Sequence, residues 1–318
     1  MVSKVLVPAL APDPEGHPSL PHHPTQSATT IHAWSAAFFG IPFLVAGLCI
    51  GLAALDRSLE HPHAPDWLIG LLAGAFFFGG TFFTVHGIRG VMRKAAYRRA
   101  AAERPSEPWL YDFHWHPNGI AFSSFDDMLS RLLAAMVWTT FLVPFAWVGM
   151  NLRGAWPFLA ALGIFGLLGL IFWLRWAQGL LDVLRYGNSF LTYESFPFAL
   201  GGTLRARLRS PRNVSAIHQL TLTLRCVQER YVTTGIGQDR SMRVVCYEIY
   251  KNVTTCDGDR LAALAGNDIP MEFYLPTDQP ATHLAATTPT YWEIEAKGRA
   301  SSVDYEAVFL IPVYKVPG

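Results

Sequence analysis

Residues 132–150, LLAAMVWTTFLVPFAWVGM, and residues 155–174, AWPFLAALGIFGLLGLIFWL, carry no charged side chain. At 1.5 Å per residue each run is long enough to cross about 30 Å of hydrocarbon. Arg131 and Arg153 bound the first run, and Arg175 ends the second. Asn151, Leu152, Arg153 and Gly154 are all that joins them, and so short a link forces an antiparallel helical hairpin. The pattern repeats toward the N-terminus. Ala33–Leu55 is uncharged between His32 and Asp56, and Trp67–Ile88 is interrupted only by His86. The expectation is therefore four transmembrane helices in two hairpins. Trp34, Trp67, Trp138, Trp147, Trp156, Trp173 and Trp176 fall mostly near the ends of the runs, where amphipathic rings prefer to sit. Gly70 and Gly74, Ala75 and Gly79, and Gly163, Gly166 and Gly169 have spacings that let helices approach closely. The chain's own bundle is the first expectation for that packing, and a dimer contact the second.

Composition agrees. The 318 residues are 51% hydrophobic and 15% charged, against about 25% charged in ordinary soluble proteins. The deficit lies in the first 176 residues or so, and the rest reads like a soluble domain. A net charge of +1 provides no field to attract nucleic acid. Basic residues orient the helices. Arg89, Arg93, Lys94, Arg98, Arg99 and Arg104 follow the second run, and Arg175 and Arg185 follow the fourth. The loop after the first run has only Arg57 among Asp56, Glu60 and Asp66, and the loop after the third only Arg153. Both termini, the middle segment and the C-terminal domain are thus expected in the cytoplasm, with a bacterial inner membrane as the location.

Residues 1–31, rich in Pro and His, read as a disordered tail without signal-peptide character. Residues 32–104 form the first hairpin, with a basic helical extension over Val91–Arg104 that Pro105 and Pro108 terminate. Residues 105–131 are an interfacial segment. There Trp109, Tyr111, Phe113 and Trp115 alternate, so an extended chain would present them on one side, wedged into the interface or against the following domain. Trp109, Tyr111 and Trp115 are the candidate anchors. Ser123 with Asp126 resembles an N-cap for the helix that enters the third run. The histidine pairs His22 with His23, His61 with His63, and His114 with His116 stand apart, so no metal site or other cofactor is expected. His86, near a run's cytoplasmic end, reads as an interfacial side chain. No acid lies inside any run, which argues against a proton-coupled pump.

After 132–186, the second hairpin, the period changes to two over 187–318. Leu204, Ala206 and Leu208 alternate with Arg205, Arg207 and Arg209. Leu220, Leu222, Leu224 and Cys226 alternate with polar residues, and Arg243–Val253 is β-branched and aromatic. Met271, Phe273 and Leu275 alternate as well. So do Trp292, Ile294 and Ala296 against Glu293, Glu295 and Lys297, and Tyr305, Ala307, Phe309, Ile311 and Val313 complete the set. Gly201-Gly202, Pro211–Asn213, Gly235–Gly237 and Asp257-Gly258 punctuate them. About seven short strands so spaced indicate a two-layer antiparallel β-sandwich of immunoglobulin-like type. The fold class is thus α+β: four helices, then a sandwich. Cys49 lies in an apolar run. Cys226, Cys246 and Cys256 show no CxxC spacing and are expected as thiols, and Cys226 could pair with Cys246 only if their strands adjoin. The sequons at Asn213 and Asn252 carry no meaning on a cytoplasmic domain.

The strand after Gly201-Gly202, the Leu220–Leu224 strand, Ile269–Phe273 leading to Leu275-Pro276, Tyr291–Glu295 and Val303–Val313 together resemble one half of an arrestin-type sandwich. With the two hairpins and Glu107-Pro108-Trp109, the chain from about residue 35 to about residue 315 resembles a bacterial family of multispanning membrane proteins of unknown function. That resemblance implies an arrestin-like half-domain and brings no catalytic residues. Arg205, Arg207 and Arg209, with Arg212 nearby, are candidate contacts for lipid headgroups or an acidic partner. The plainer alternative is a solvated face paired with glutamates of neighbouring strands such as Glu293 and Glu295. No nucleophile motif, phosphate loop or zinc motif occurs, so no enzyme is expected. The functional expectation is a membrane-anchored interaction or scaffold protein, an accessory subunit that contacts the lipid bilayer and a protein partner or further copies of itself. A small oligomeric transporter or channel component is the alternative.

Overall fold

The computed structural model describes residues 16–21, 23–26, 33–55, 66–151, 156–209, 211–234, 241–264, 268–286, 288–301 and 304–315, with the backbone alone at 33–37, 54–55, 66, 86, 93–94, 98, 234 and 241–242. His22, the His61 and His63 pair, the loop at 56–65, Arg153 and the side chains of Trp34 and His86 lie outside it. The chain forms two compact units. The helical unit is 32–93 and 123–188, and the sheet unit is 1–31, 94–122 and 189–318.

The helical elements are α1 (Ala33–Leu55), α2 (Asp66–Glu103), α3 (Ser124–Asn151) and α4 (Trp156–Tyr186). Three of them are long and apolar enough to cross a membrane, over 67–103, 124–151 and 156–186. Among the fully described residues the count is three, against the expected four, because α1 is fully described only over Phe38–Ala53. The basic, alanine-rich stretch continues α2 to Glu103, just before Pro105, which cannot continue a helix. Ser123 caps α3, its Oγ accepting the Asp126 amide at 3.1 Å. At the end of α4, Gly187 adopts φ 70° and donates its amide to the Val183 carbonyl at 3.0 Å. Glycine reaches that left-handed cap at little steric cost.

α1 and α2 approach through Gly40, Gly47 and Gly80. A β-carbon on Gly47 would collide with the Phe77 backbone, and one on Gly80 with the Leu44 backbone. Most of the glycines expected to make such contacts do not. Gly70, Gly74, Gly79, Gly163 and Gly166 face open space, and of that set only Gly169 meets a neighbouring side chain, Trp138. Between α3 and α4 the Trp138 Nε1–H donates to the Phe165 carbonyl at 3.0 Å, and the Trp173 Nε1–H to Thr139 Oγ1 at 3.1 Å.

The sheet unit holds β1 (Ser19–Leu20), β2 (Gly119–Phe122), β3 (Ser189–Tyr193), β4 (Phe198–Ala199), β5 (Thr203–Leu208), β6 (Ile217–Thr234), β7 (Ser241–Asp257), α5 (Gly258–Ala263), β8 (Ile269–Tyr274), β9 (Thr290–Ala300), β10 (Tyr305–Ile311) and β11 (Val313–Tyr314). They form an antiparallel sheet in the order β1-β7-β6-β9-β10, a second antiparallel sheet β2-β3-β5-β8, and a parallel pair β11-β4. The period-two residues are buried as their alternation requires. Leu204, Leu208, Leu220, Leu224, Trp292, Ile294, Ala307 and Ile311 are all at 0% exposure. Each of the leucines and isoleucines stabilises the fold by about 1.5–3 kcal/mol relative to exposure. Phe122 of β2 meets Phe309 of β10 edge-on at 6.3 Å, and the Tyr305 hydroxyl donates to Ser189 Oγ at 2.8 Å.

Two stretches differ from their sequence reading. The N-terminal residues are not wholly a disordered tail, because β1 adds to the outer edge of β7, Ser19 opposite Tyr247 and Leu20 opposite Cys246. The aromatic stretch is not extended, because Pro108–Leu110 is a 3-10 turn. Pro108 presets the φ that such a turn needs. The stretch also runs on into β2, the outer strand of the second sheet.

Candidate functional site

A bulge at Ile249 of β7, opposite the step from Cys226 to Val227 of β6, decides what β7 places on the outer face of the five-stranded sheet. A one-residue slip exchanges the faces of every later side chain on one strand relative to its partner. Before the slip Cys226 sits opposite Tyr250, and after it Val227 is opposite Glu248 and Glu229 opposite Cys246. Glu248 and Cys246 thereby join Arg225, Val227, Glu229, Tyr291 and Glu293 on the face away from the leucine core. Although their strands are neighbours, the register sets Cys226 opposite Tyr250 and Cys246 opposite Glu229, three residues further along β6, and all four cysteines are free. Burial pushes the Cys226 thiol up, and the Glu293 charge adds to the effect.

Arg225 is the single buried cation among the described residues, against the buried acids Asp112, Glu229, Glu248 and Glu293 elsewhere and around it. Its Nε lies 3.3 Å from Glu293 Oε1, its Nη2 2.6 Å from Glu295 Oε1, and its Nη1 3.9 Å from Glu248 Oε2. Nε and Nη2 meet their carboxylates off-axis, and Glu248 Oε2 is buried with no hydrogen bond. Lys251 and Lys297, both half exposed, reach Glu248 and Glu295 at 3.5 and 2.8 Å. Burial alone would raise the Glu295 carboxyl, but the Lys297 and Arg225 cations beside it lower it on balance.

The N-terminal segment supplies the second cation. His23 Nε2 lies 2.7 Å from Glu293 Oε1, and the Tyr291 hydroxyl is 3.3 Å from His23 Nδ1. The Gln26 amide donates to Glu229 Oε1, and the Glu248 amide to the Pro18 carbonyl at 3.0 Å. Burial would depress the imidazole pKa. Hydrogen bonds to Cys246 and Glu293, with the charge on both, outweigh it and push the ring up to about 10. Leu20, Phe113, Trp115 and Leu310 close over Val227, Cys246, Leu284 and Tyr291. Cys246 thus lies beside an imidazole and a carboxylate but at 1% exposure.

Next to this cluster Asp112, at 4% exposure, accepts the Leu284 amide at 2.9 Å, the Ala285 amide at 2.8 Å and the Tyr314 hydroxyl at 3.1 Å. The sequence reading passed over it between conspicuous aromatics. Its only signal was one acid in an otherwise uncharged run. Of the candidate anchors, Trp115 donates its Nε1–H to the Tyr314 hydroxyl at 2.9 Å, Trp109 packs edge-on against Tyr314 at 6.0 Å, and Tyr111 packs against Tyr97 at 5.4 Å. All three pack within the sheet unit.

The arginine stripe is paired, though not with the glutamates expected. Arg205 bonds Glu272 at 3.1 Å and Arg207 bonds Glu194 at 2.9 Å. The reason is strand order. β5 lies between β3 and β8, which puts Arg205 opposite Glu272, whereas Glu293 and Glu295 belong to the other sheet. Arg209 lies over the Phe190 ring at 5.6 Å, and Arg212 is exposed. Stripe and acidic cluster thus belong to different sheets, and of the four arginines Arg205 and Arg207 each meet a carboxylate on the exposed face. Among the described residues no group of three or more His, Cys, Asp or Glu is placed to hold a metal ion.

No family model matches the chain, and no curated protein matches it in sequence. The crystal structure of the sporulation control protein Spo0M from Bacillus subtilis is similar over 39% of this chain, at 12% identity and a TM-score of 0.25. The match spans 48% of that structure, about half its length. So faint a likeness leaves both fold and function to be argued from the residues themselves.

Proposed function

We propose that the chain is a membrane-anchored interaction module without a reaction of its own. In this reading four helices in two hairpins hold an arrestin-like β-sandwich at the cytoplasmic face of a bacterial inner membrane, where it docks a protein partner as an accessory subunit. The bacterial multispanning family expected from the sequence belongs to the same proposal.

The observation that carries the reading is the contrast between the two units. Exposed apolar side chains run along the helices, among them Phe78 at 72%, Ile164 at 64% and Leu167 at 63%. Water does not tolerate so continuous an apolar surface, and lipid does. The sheet unit buries its apolar alternation and exposes charged residues such as Arg205, Glu272 and Lys297. Arg89, Arg99 and Arg104 after the second run support a cytoplasmic sheet unit. Ring and hydroxyl contacts between β2, β3 and β10 support the sandwich. A sheet with accessible edges is a common docking element, and an anchor raises its local concentration near membrane partners.

Affinity purification tests the proposal, comparing the tagged full-length chain with one ending at Tyr186. Partners recovered by the full chain and lost by the short one are expected. Identical partners from both would end it.

A further inference from the structure

Three observations meet on the outer face of the five-stranded sheet. First, β7 has 17 residues, and only Cys246 and Tyr247 of its outer edge are paired with a strand among the described residues. The unpaired remainder presents backbone donors and acceptors that can template an added strand. Second, the surface beside that edge is acidic at depth. Glu229 and Glu293 are each 1% exposed and Glu248 8%, with Arg225 the buried cation among them. Buried carboxylates demand countercharge, and Glu248 Oε2 is buried without a hydrogen bond. Third, an extended segment already occupies this place in the manner of a bound peptide. Leu20 covers Cys246 and Tyr291, His23 reaches Glu293 three residues on, and backbone bonds at Pro18 and Gln26 hold the ends.

We propose that the outer edge of β7 and the acidic pocket beside it form a docking site for an extended segment of a partner protein. That segment carries an apolar side chain and, three residues later, a cationic one. Residues 16–26 are the intramolecular occupant that the partner displaces. The proposal rests on the interaction-module reading and locates its docking surface. Charge complementarity chooses the occupant: the pocket rejects an acidic segment and accepts Lys, Arg or protonated His. A two-residue strand is a weak competitor by contacts alone. Its tether raises its effective concentration to the order of millimolar, so the site stays closed until a longer or more cationic segment arrives.

The test uses a fluorescent peptide of residues 16–26 and the full-length chain in nanodiscs, with and without residues 1–26. The shortened chain should bind the peptide at least about tenfold more tightly than the full chain, and His23→Ala in the peptide should weaken binding about tenfold. A folded shortened chain with no saturable binding would overturn the site. Should the shortened chain not fold, the full chain carrying Leu20→Asp and His23→Ala is read by maleimide labelling of Cys246 in a Cys49→Ser background. Labelling several-fold faster than in the parent supports a displaceable occupant, and an unchanged rate refutes it. A dimer of the full chain that free peptide dissolves would make a second copy the occupant and overturn the partner assignment. Peptide binding without any partner lost on truncation at Tyr186 would sink the interaction-module reading, and the partner assignment with it, while leaving the site. The reverse result would sink the site alone.

Discussion

Asp112 shows how much one buried group can organise. Its two oxygens take two backbone amides and a hydroxyl from segments 170 residues or more away in sequence, and burial of the Tyr314 phenol beside it raises that group's pKa, as does the carboxylate charge. Asp112→Ala would leave the Leu284 and Ala285 amides buried and unpaired, so a loss of about 2–4 kcal/mol is expected. Urea unfolding of the sheet unit, followed by tryptophan fluorescence, measures it. His23 gives a pH dependence of definite sign. Its folded pKa is raised from 6.5 to about 10, because Cys246 and Glu293 outweigh the opposing effect of burial, and the Tyr291 hydroxyl and, across Glu293, Arg225 also face it. The stability lent by the protonated ring is therefore complete below about pH 6.5 and lost as pH climbs through about 10. The gap in urea midpoint between the parent and His23→Gln should be constant at acidic pH and close by about pH 10; a gap that widens with pH would contradict the assignment. Asp112 did not stand out in the sequence, and His23 was noticed there only as half of the His22 and His23 pair, because a lone acid and a histidine in a proline-rich stretch acquire meaning only from distant strands.

At the scale of elements, the strand alternation was legible almost residue by residue. Leu220, Leu222 and Leu224, or Trp292, Ile294 and Ala296, need only the pleat to assign their face. Glu293 was misplaced for a related reason: alternation says it points away from the leucine core, not that another segment covers it. Helix contacts were less legible. Small-residue spacing marks where backbones can approach, but which face meets a partner depends on how the helices are rotated. The contacts fell to Gly40, Gly47 and Gly80. Gly47→Leu or Gly80→Leu should force α1 from α2 and lower the yield of monodisperse protein in detergent, because the obstacle is backbone and cannot rotate away. Gly74→Leu and Gly163→Leu, in open space, should leave size-exclusion profiles unchanged; equal damage from both pairs would contradict this packing.

For the whole molecule, the proposed orientation is checked by a reporter fused after Gly318. A cytoplasmic reporter should be active there and an exported one silent, and the chain should stay with the membrane through alkaline washing. Helices long and apolar enough to cross a bilayer, and an antiparallel sheet region after them, were legible in the sequence by itself, although it pointed to four such helices and three are found among the described residues. Hydrophobic run length and period-two alternation are local properties, set by the rise of a helix and the pleat of a strand. The tertiary structure alone decided that residues 16–26 and 108–122 belong to the sheet unit, that the β7 bulge brings Glu248 to the face where Arg225 and Glu293 pair and His23 meets Glu293, and that Arg205 and Arg207 find Glu272 and Glu194. Those choices turn on strand order and on a one-residue slip. Both are settled by which distant segments bury each other's surface, and no local pattern encodes that competition.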